Sequence, residues 1–248
     1  MAAYAAYDSF APCYDELIKA SKDGVTQRYD RLLKVYAGNP RGKILLDIGC
    51  GTGQLSEHFS DLGFDVIGTD ISEEMLNIAV SKRGGKPIEY LCQSATKLDL
   101  YGTVDIAIAA RDTFNHLGNL GELEKAIKRT AFFMNPGGLL IFDWNTPYKH
   151  REKLAGKTFL YETPNVFCAW DNTSENGKIK MSLNLFKKEE SGKYSRFETE
   201  IEEFTAETAD VENILAQCGF EVKTYDFKSL KKPNAESEKI VFIGKKRG

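Results

Sequence analysis

Lys43–Leu55 reads "KILLDIGCGTGQL", and this stretch decides the fold. Four apolar residues and one aspartate lead directly into glycines at alternate positions, Gly49, Gly51 and Gly53. A nearly all-apolar run of this length predicts a strand covered on both faces, as in a parallel sheet. Glycine in the turn that follows permits positive φ and lets a ligand touch main chain with no Cβ in the way. One glycine there would be explained by a tight strand–helix turn. Three at alternate positions point to a small molecule lying against the backbone.

The same rhythm continues outward. Leu55, Phe59 and Leu62 stand at helical spacing, "DVIGTD" (65–70) reads as a second strand, and "SEEMLNIAVSKR" (72–83) reads as a helix. Ser72 is its expected N-cap, with Glu73 and Glu74 in the first turn at the positive end of the dipole. "PIEYL" (87–91) and "VDIAIAA" (104–110) add strands; Leu123, Ile127 and Ala131 space a helix that "NPGG" (135–138) breaks, and "LLIFDW" (139–144) is the fifth strand. Apolar strands separated by amphipathic helices imply a parallel sheet with both faces covered, wound right-handed. Ligands of such sheets sit at the carboxyl ends of the strands.

After Pro147 the pattern changes to period two. "TFLYETPNVFCAWDN" (158–172), "KIKMSLNLFKK" (178–188) and "KYSRFETEIEEF" (193–204) are joined by "SENGK" and "ESGK", as in an antiparallel meander. Beyond it, Val211, Ile214 and Leu215 form a helix face, and strands follow around "FEVKTYDF" and "KIVFIGK". The expected fold is therefore α/β: a doubly wound, Rossmann-like sheet of seven mostly parallel strands with an inserted small antiparallel β-sheet. Residues 1–147 and 205–248 make the main domain, and 148–204 the insert.

The chain has 248 residues and a net charge of −3, enough for a sizeable core and without a basic stripe for nucleic acid. The N-terminus lacks the basic and apolar regions of a secretory signal. No window approaches the about 18 apolar residues of a membrane span. The five cysteines form no C-x-x-C pair and the three histidines lie far apart, so no metal site is expected. Free thiols suit the cytoplasm.

Dinucleotide sites use G-x-G-x-x-G, whereas here Gln54 stands where the last glycine belongs. Asp47, just before the glycines, would repel a pyrophosphate and suits a ligand with an ammonium group. Asp70 ends the second strand 19 residues after Gly51, the spacing of an acid that accepts from both hydroxyls of a ribose. The alternative for Asp70 is a cap of the following helix. Adenosine at one end and an α-amino group at the other describe S-adenosylmethionine. "LDIGCGTG", "VIGTDIS" and "PGGLLIFD" resemble the signature of class I S-adenosylmethionine-dependent methyltransferases, across residues 40–145 and again 205–246. "YDSFAPCYDELI" (7–18) resembles the N-terminal lid helix of a bacterial small-molecule subgroup, and the insert is similar to that of sugar-nucleotide N-methyltransferases.

The resemblance implies that Gly49, Cys50 and Gly51 line the methionine part of the cofactor and that Asp47 holds its amino group. It gives Asp70 the ribose, Ile71 and Met75 the adenine surroundings, and Ser94 and Ala95 the adenine edge. Arg111 and, from the lid, Tyr14 complete the set. Many relatives carry an acid at the position of Ser94, so a hydroxyl or main-chain group has to replace it here. Tyr14 can equally be a partly buried helix aromatic.

Methyl transfer from a sulfonium needs alignment and exclusion of water, and a base only where the acceptor arrives protonated. "ARDTFNHL" (110–117) is the candidate acceptor side, with His116 and Asp112 as catalytic candidates. The other reading is a helix-capping Asp112 and a surface histidine. Trp144 and Asn145 are expected to shape the pocket and Trp170 to be core. Neither N-P-P-Y nor D-P-P-Y occurs, the motifs that the family links to DNA and glutamine amide methylation; a small-molecule or sugar-nucleotide acceptor is what the resemblance implies. The insert is a roof over the site, a homodimer surface, or simply a sheet with its own core. Two other functions stay open: a non-catalytic S-adenosylmethionine-binding protein, and an NAD-dependent oxidoreductase, which Gln54 and Asp47 oppose.

Overall fold

In the computed structural model, which describes residues 3–21 and 23–248, the glycine-leading strand β1 (Ile44–Ile48) lies inside a seven-stranded sheet. It pairs in parallel with β2 (Asp65–Asp70), which pairs in parallel with β3 (Glu89–Cys92). On its other side β1 pairs in parallel with β4 (Val104–Ala109), and β4 in turn with β5 (Met134–Asn145). The insert supplies β6 (Thr158–Glu162), β7 (Val166–Glu175), β8 (Lys178–Lys188) and β9 (Tyr194–Phe204). Two last strands, β10 (Phe220–Asp226) and β11 (Lys239–Lys246), return to the main sheet. Its order is β10-β11-β5-β4-β1-β2-β3, with β11 antiparallel to both neighbours. The fold is thus the doubly wound, Rossmann-like sheet that the apolar strands imply.

The order in which strands are added reverses between β1 and β4, which run parallel, so the loops after these two strands open side by side. That is the switch point where ligands of such sheets bind. One sheet face is covered by α2 (Val25–Tyr36) and α3 (Gln54–Asp61), whose Leu33, Leu55 and Phe59 meet Leu45, Ile106 and Ile141. The helix α4 (Glu73–Lys82) flanks β2 and β3, and it starts as expected, with Met75 N–H donating to Ser72 Oγ at 3.1 Å. The opposite face packs on α5 (Leu120–Phe132) and α6 (Thr208–Gln217) through Ile127, Phe142, Leu215 and Phe242. Among the described residues no helix is long and apolar enough to cross a membrane.

Two local expectations change. Asn135–Gly138 does more than stop a helix: β5 begins at Met134, and its register against β4 shifts between Val104 and Ile106. Gly138 allows this, since a Cβ there would stand 2.9 Å from Asn135 O and 3.0 Å from Asp105 O. The insert has four strands where three runs were read. Pro164 has no N–H to give a ladder, so "TFLYETPNVFCAWDN" folds back on itself, with Thr163 N–H donating to Val166 O at 2.9 Å. The Asn176-Gly177 turn behaves as read, both residues at positive φ as a tight hairpin demands.

The N-terminal helix α1 (Ala3–Ser21) lies between the two sheets, touching β9 and α4. Tyr7, Phe10, Tyr14 and Leu17 fall on one stripe of it and join Met181, Leu183 and Ile201 of the insert in a third core. Its polar side is tied down as well. Asp8 accepts from Ser72 Oγ, and Asp15 accepts from Thr52 Oγ1 and, at 2.6 Å, from Lys82 Nζ.

Candidate active site

The three glycines of the first loop do different things. All have positive φ (68°, 54° and 76° at Gly49, Gly51 and Gly53). A Cβ on Gly49 would run into the Thr113 side chain, and one on Gly53 into Tyr90 Oη and Ala79. Those two make close packing possible, Gly53 serving the contact that a dinucleotide motif gives to its last glycine. Gly51 alone faces open space, bounded by the Tyr14 ring at 3.7 Å. Main-chain N–H groups of Gly49 and Cys50 both donate to Thr69 O (2.7 and 2.9 Å), which pins the loop to β2.

Asp70 closes this arrangement. Gly51 N–H donates to its Oδ2 at 2.8 Å and Ser72 N–H to its Oδ1 at 2.9 Å, while Ser72 takes the helix cap. Burial raises its carboxyl, and these backbone donors work against that rise. Asp47 is 1% exposed and accepts from Ser56 Oγ at 2.6 Å. Burial pushes its carboxyl up to about 6. Every residue placed on the cofactor side by the sequence, from Tyr14 and Asp47 to Ala95 and Arg111, lines one cleft over this loop. Ser94 lies there with its hydroxyl engaged locally, 3.0 Å from Thr96 Oγ1.

The lip after β4 turns through two consecutive non-glycine residues in the left-handed region, Arg111 (φ 55°) and Asp112 (φ 63°). Asp143, wholly buried at the end of β5, makes that turn possible by accepting both N–H groups, at 2.8 and 3.1 Å. It also accepts from Tyr29 Oη at 2.6 Å and Lys239 Nζ at 2.9 Å. The turn aims Arg111 at Asp23 (3.0 Å) and Gln54 (2.9 Å). Asp112 is ion-paired with Lys239. Burial alone would raise the Asp112 carboxyl, but the Lys239 and Lys149 charges outweigh it and hold it well below the usual range. A carboxylate held as an anion in this way is a poor proton acceptor.

His116 has a different setting. Its Nδ1 lies 3.1 Å from Glu202 O, which can only accept, so Nδ1 carries the proton and Nε2 the lone pair. Tyr7 Oη stands 3.1 Å from Nε2 and donates to it. Burial foremost, then the Tyr14 and Glu203 charges, raise the Tyr7 phenol well above its ordinary value, so it stays protonated. His116 borders the cofactor cleft and also a second cavity of about 630 Å³ between α1, the insert and the ends of β10 and β11. Tyr7, Tyr14, Arg111 and His116 line both, so these four form the gate between them.

A sequence profile described as a methyltransferase domain matches residues 45–138. A protein of Geobacillus sp. (strain WCH70) that carries a methyltransferase name is 30% identical over 247 residues, spanning 97% of this chain and 99% of that one. The chain belongs to the methyltransferase family. Among solved structures, an S-adenosylmethionine-dependent methyltransferase from Clostridium acetobutylicum ATCC 824 superposes with a TM-score of 0.85 at 28% identity, covering 98% of this chain and 99% of that one. The amino pentose methyltransferase CalS10 from Micromonospora echinaspora, solved with S-adenosylmethionine bound, shares the fold at a TM-score of 0.75 and 20% identity over 94% and 96% of the two chains.

In this methyltransferase Trp144 is not in the pocket expected for it, while Trp170 packs against the core of the insert as expected and also reaches a cavity. Trp144 is fully buried against Phe204 with Nε1 donating to Ala206 O at 3.3 Å, because it ends β5 on the side that α6 and β9 cover. Trp170 lines the second cavity, since the inner face of β7 looks at α1. Asn145 is also buried, bracketing the lip through its N–H to Asn115 Oδ1 at 2.9 Å. Tyr7, Lys239 and Glu203 were not singled out in the sequence. Two signals existed: Tyr7 precedes Tyr14 by two helical turns, and in "EIEEF" the period-two pattern puts Glu203 on the same inward face as Ile201.

Proposed function

We propose that this methyltransferase moves a methyl group from S-adenosylmethionine to a small-molecule acceptor held in the cavity under the insert, with His116 taking the acceptor's proton. The observation that carries this reading is the shared gate of Tyr7, Tyr14, Arg111 and His116 between two cavities. S-adenosylmethionine is the cofactor, and the cleft fits it on its own chemistry. Asp47 is a buried carboxylate with one hydroxyl donor, a partner that an ammonium group completes. Gly51 leaves bare main chain under Tyr14, and Asp70 keeps lone pairs beyond its two backbone donors. When bound, the cofactor supplies an electrophilic sulfonium methyl.

The chain's own residues then orient and desolvate. Tyr7 and Tyr14, from α1, close the gate against water, and Arg111, fixed by Asp23 and Gln54, forms its floor. His116 Nε2 is the basic atom turned to the gate. We assign Asp112 a positioning role through Lys239 and Asp143. A cavity of about 630 Å³ walled by Phe10, Tyr161, Trp170 and Met181 takes a metabolite-sized acceptor. We divide the chain into a cofactor domain, 1–147 and 205–248, and an acceptor-side insert, 148–204. The inner face of the insert is used by α1 and the cavity, which favours the roof over the dimer surface; a homodimer would use the outer face around Leu160, 66% exposed. Five unpaired cysteines fit a cytoplasmic location.

Thermal unfolding with each ligand tests the cofactor, because a ligand that binds only the native state stabilises it. At a hundredfold excess over Kd, S-adenosylhomocysteine should raise Tm by roughly 5–10 °C. A shift with NADH and none with S-adenosylhomocysteine would reverse the assignment. Release of S-adenosylhomocysteine over a panel of amine and hydroxyl metabolites then separates an enzyme from a cofactor-binding scaffold.

A further inference from the structure

Glu203 is the one residue near the gate whose buried charge is otherwise unexplained. It lies on β9 of the insert, 5% exposed, opposite Ile179 and on a face shared with Thr199, Ile201, Met181 and Leu183. Its Oε2 is held from behind by two donors, Asn145 Nδ2 at 2.9 Å and His150 Nε2 at 3.1 Å. His150 belongs to a π-helical turn, Lys149–Leu154, of a kind often found at functional sites. The other oxygen, Oε1, faces His116 Nε2 at 3.7 Å. Burial alone would raise the Glu203 carboxyl, but the His150 hydrogen bond foremost, and a positive charge on the His116 ring when it is protonated, keep it below the usual range. A carboxylate is thus kept ionised in an apolar wall and turned toward one nitrogen.

We propose that Glu203 is the positioning residue for proton transfer to His116. This rests on the reading of His116 as the acceptor's base. Neighbouring residues of β9 serve the two ring nitrogens: the Glu202 carbonyl fixes the Nδ1–H tautomer, and the Glu203 carboxylate waits beside Nε2. When the acceptor's N–H or O–H bond breaks, its electron pair stays on the acceptor for the new bond to the methyl carbon, the pair of the old carbon–sulfur bond stays on sulfur, and the proton forms a bond to Nε2 in place of the Tyr7 hydrogen bond. The imidazolium so made becomes a donor, and Glu203 Oε1 is the anion in reach. The insert therefore supplies part of the catalytic machinery as well as a roof.

The remaining charges around the ring are already matched. Lys178 and Lys180 of β8 pair with Glu202 and Glu200 at the outer rim (3.4 and 2.8 Å), Arg111 pairs with Asp23, and Asp112 with Lys239. Lys149, in the π-helical turn, donates to Asn145 Oδ1 at 2.8 Å, and α1 presents the Tyr7 phenol. Removing the Glu203 charge should then act on His116 directly.

Nitrogen-15 spectra of the imidazole rings in the cofactor-free protein test this, and with three histidines His58→Gln and His150→Gln assign the signals. The wild-type His116 ring should show the Nδ1–H tautomer. In Glu203→Gln the ring signals should follow a pH course displaced to lower pH from that of the wild type, as expected on losing an opposite charge a few ångströms away. Glu203→Asp should recover part of that shift. Glu198→Gln, which removes an exposed charge from the same strand, should leave the titration in place. An Nε2–H tautomer in the wild type, which needs no variant to observe, would overturn the proposal. So would Glu203→Gln and Glu203→Asp titrations that superimpose on the wild type. Neither cofactor nor acceptor enters these spectra, so absence of methyl transfer with the titration intact would count against the proposed function alone.

Discussion

Asp143 shows how one residue sets the geometry of a site it does not line. It accepts four hydrogen bonds, from Tyr29, Lys239 and the N–H groups of Arg111 and Asp112. Without it, two left-handed non-glycine residues lose the acceptor of their N–H groups, and the Lys239 ammonium keeps only Asp112. Asp143→Ala should cost about 1–3 kcal/mol in urea unfolding, the range for leaving buried donors unsatisfied. Asp70 should report on binding instead. Asp70→Ala is expected to weaken S-adenosylhomocysteine affinity by about 1–3 kcal/mol in calorimetry, because its carboxylate orders the Gly51 main chain and, in the proposed site, accepts from the ligand. Asp47 gives binding a pH dependence. As an acid whose carboxyl is raised by burial to about 6, it contributes stability that is full below 3.8 and lost as pH rises through about 6. A ligand ammonium favours its anion. Affinity measured by titration calorimetry should therefore level off above pH 6 and fall by up to about tenfold per unit below it. Asp47, Asp70 and the glycines were legible because acids at strand ends keep a fixed spacing from the loop. Tyr7 and Glu203 were harder to read, since they reach His116 from 109 residues before it in one case and from the far strand of the insert in the other.

Elements carry a second set of consequences. The loop after β1 is rigid at both ends and open only in its middle, so its glycines are not interchangeable. Gly49→Ala adds left-handed strain and a collision with Thr113, together about 2–4 kcal/mol of lost stability by denaturation. Thr113→Ala in the same chain should return the packing part of that loss, a coupling readable in a double-mutant cycle. The strands and helices of the main domain followed from apolar runs and capping residues such as Ser72. The insert was less legible, because partial alternation marks strands without marking where Pro164 divides them. The different place of Trp144 has the same origin: composition puts both tryptophans indoors, and only the seating of α1 against β7 decides which one meets a cavity.

At the scale of the molecule, the site exists because three separate parts of the chain converge over the switch point of one sheet. The glycine loop and the β4 lip come from the doubly wound domain, the two tyrosines from α1, and the far wall from the insert. Sequence could name most of the first cleft from residues 47–111, but the second cavity is assembled by tertiary packing from residues that share no motif. The central claim is that one gate joins a cofactor cleft to an acceptor cavity. A crystal structure of the protein grown with S-adenosylhomocysteine tests it most directly. The account predicts density with the ribose at Asp70, the amino group at Asp47 and the sulfur beside Tyr7, Tyr14 and His116, opening toward Trp170. Density lodged elsewhere, or a sulfur turned away from that gate, would contradict it.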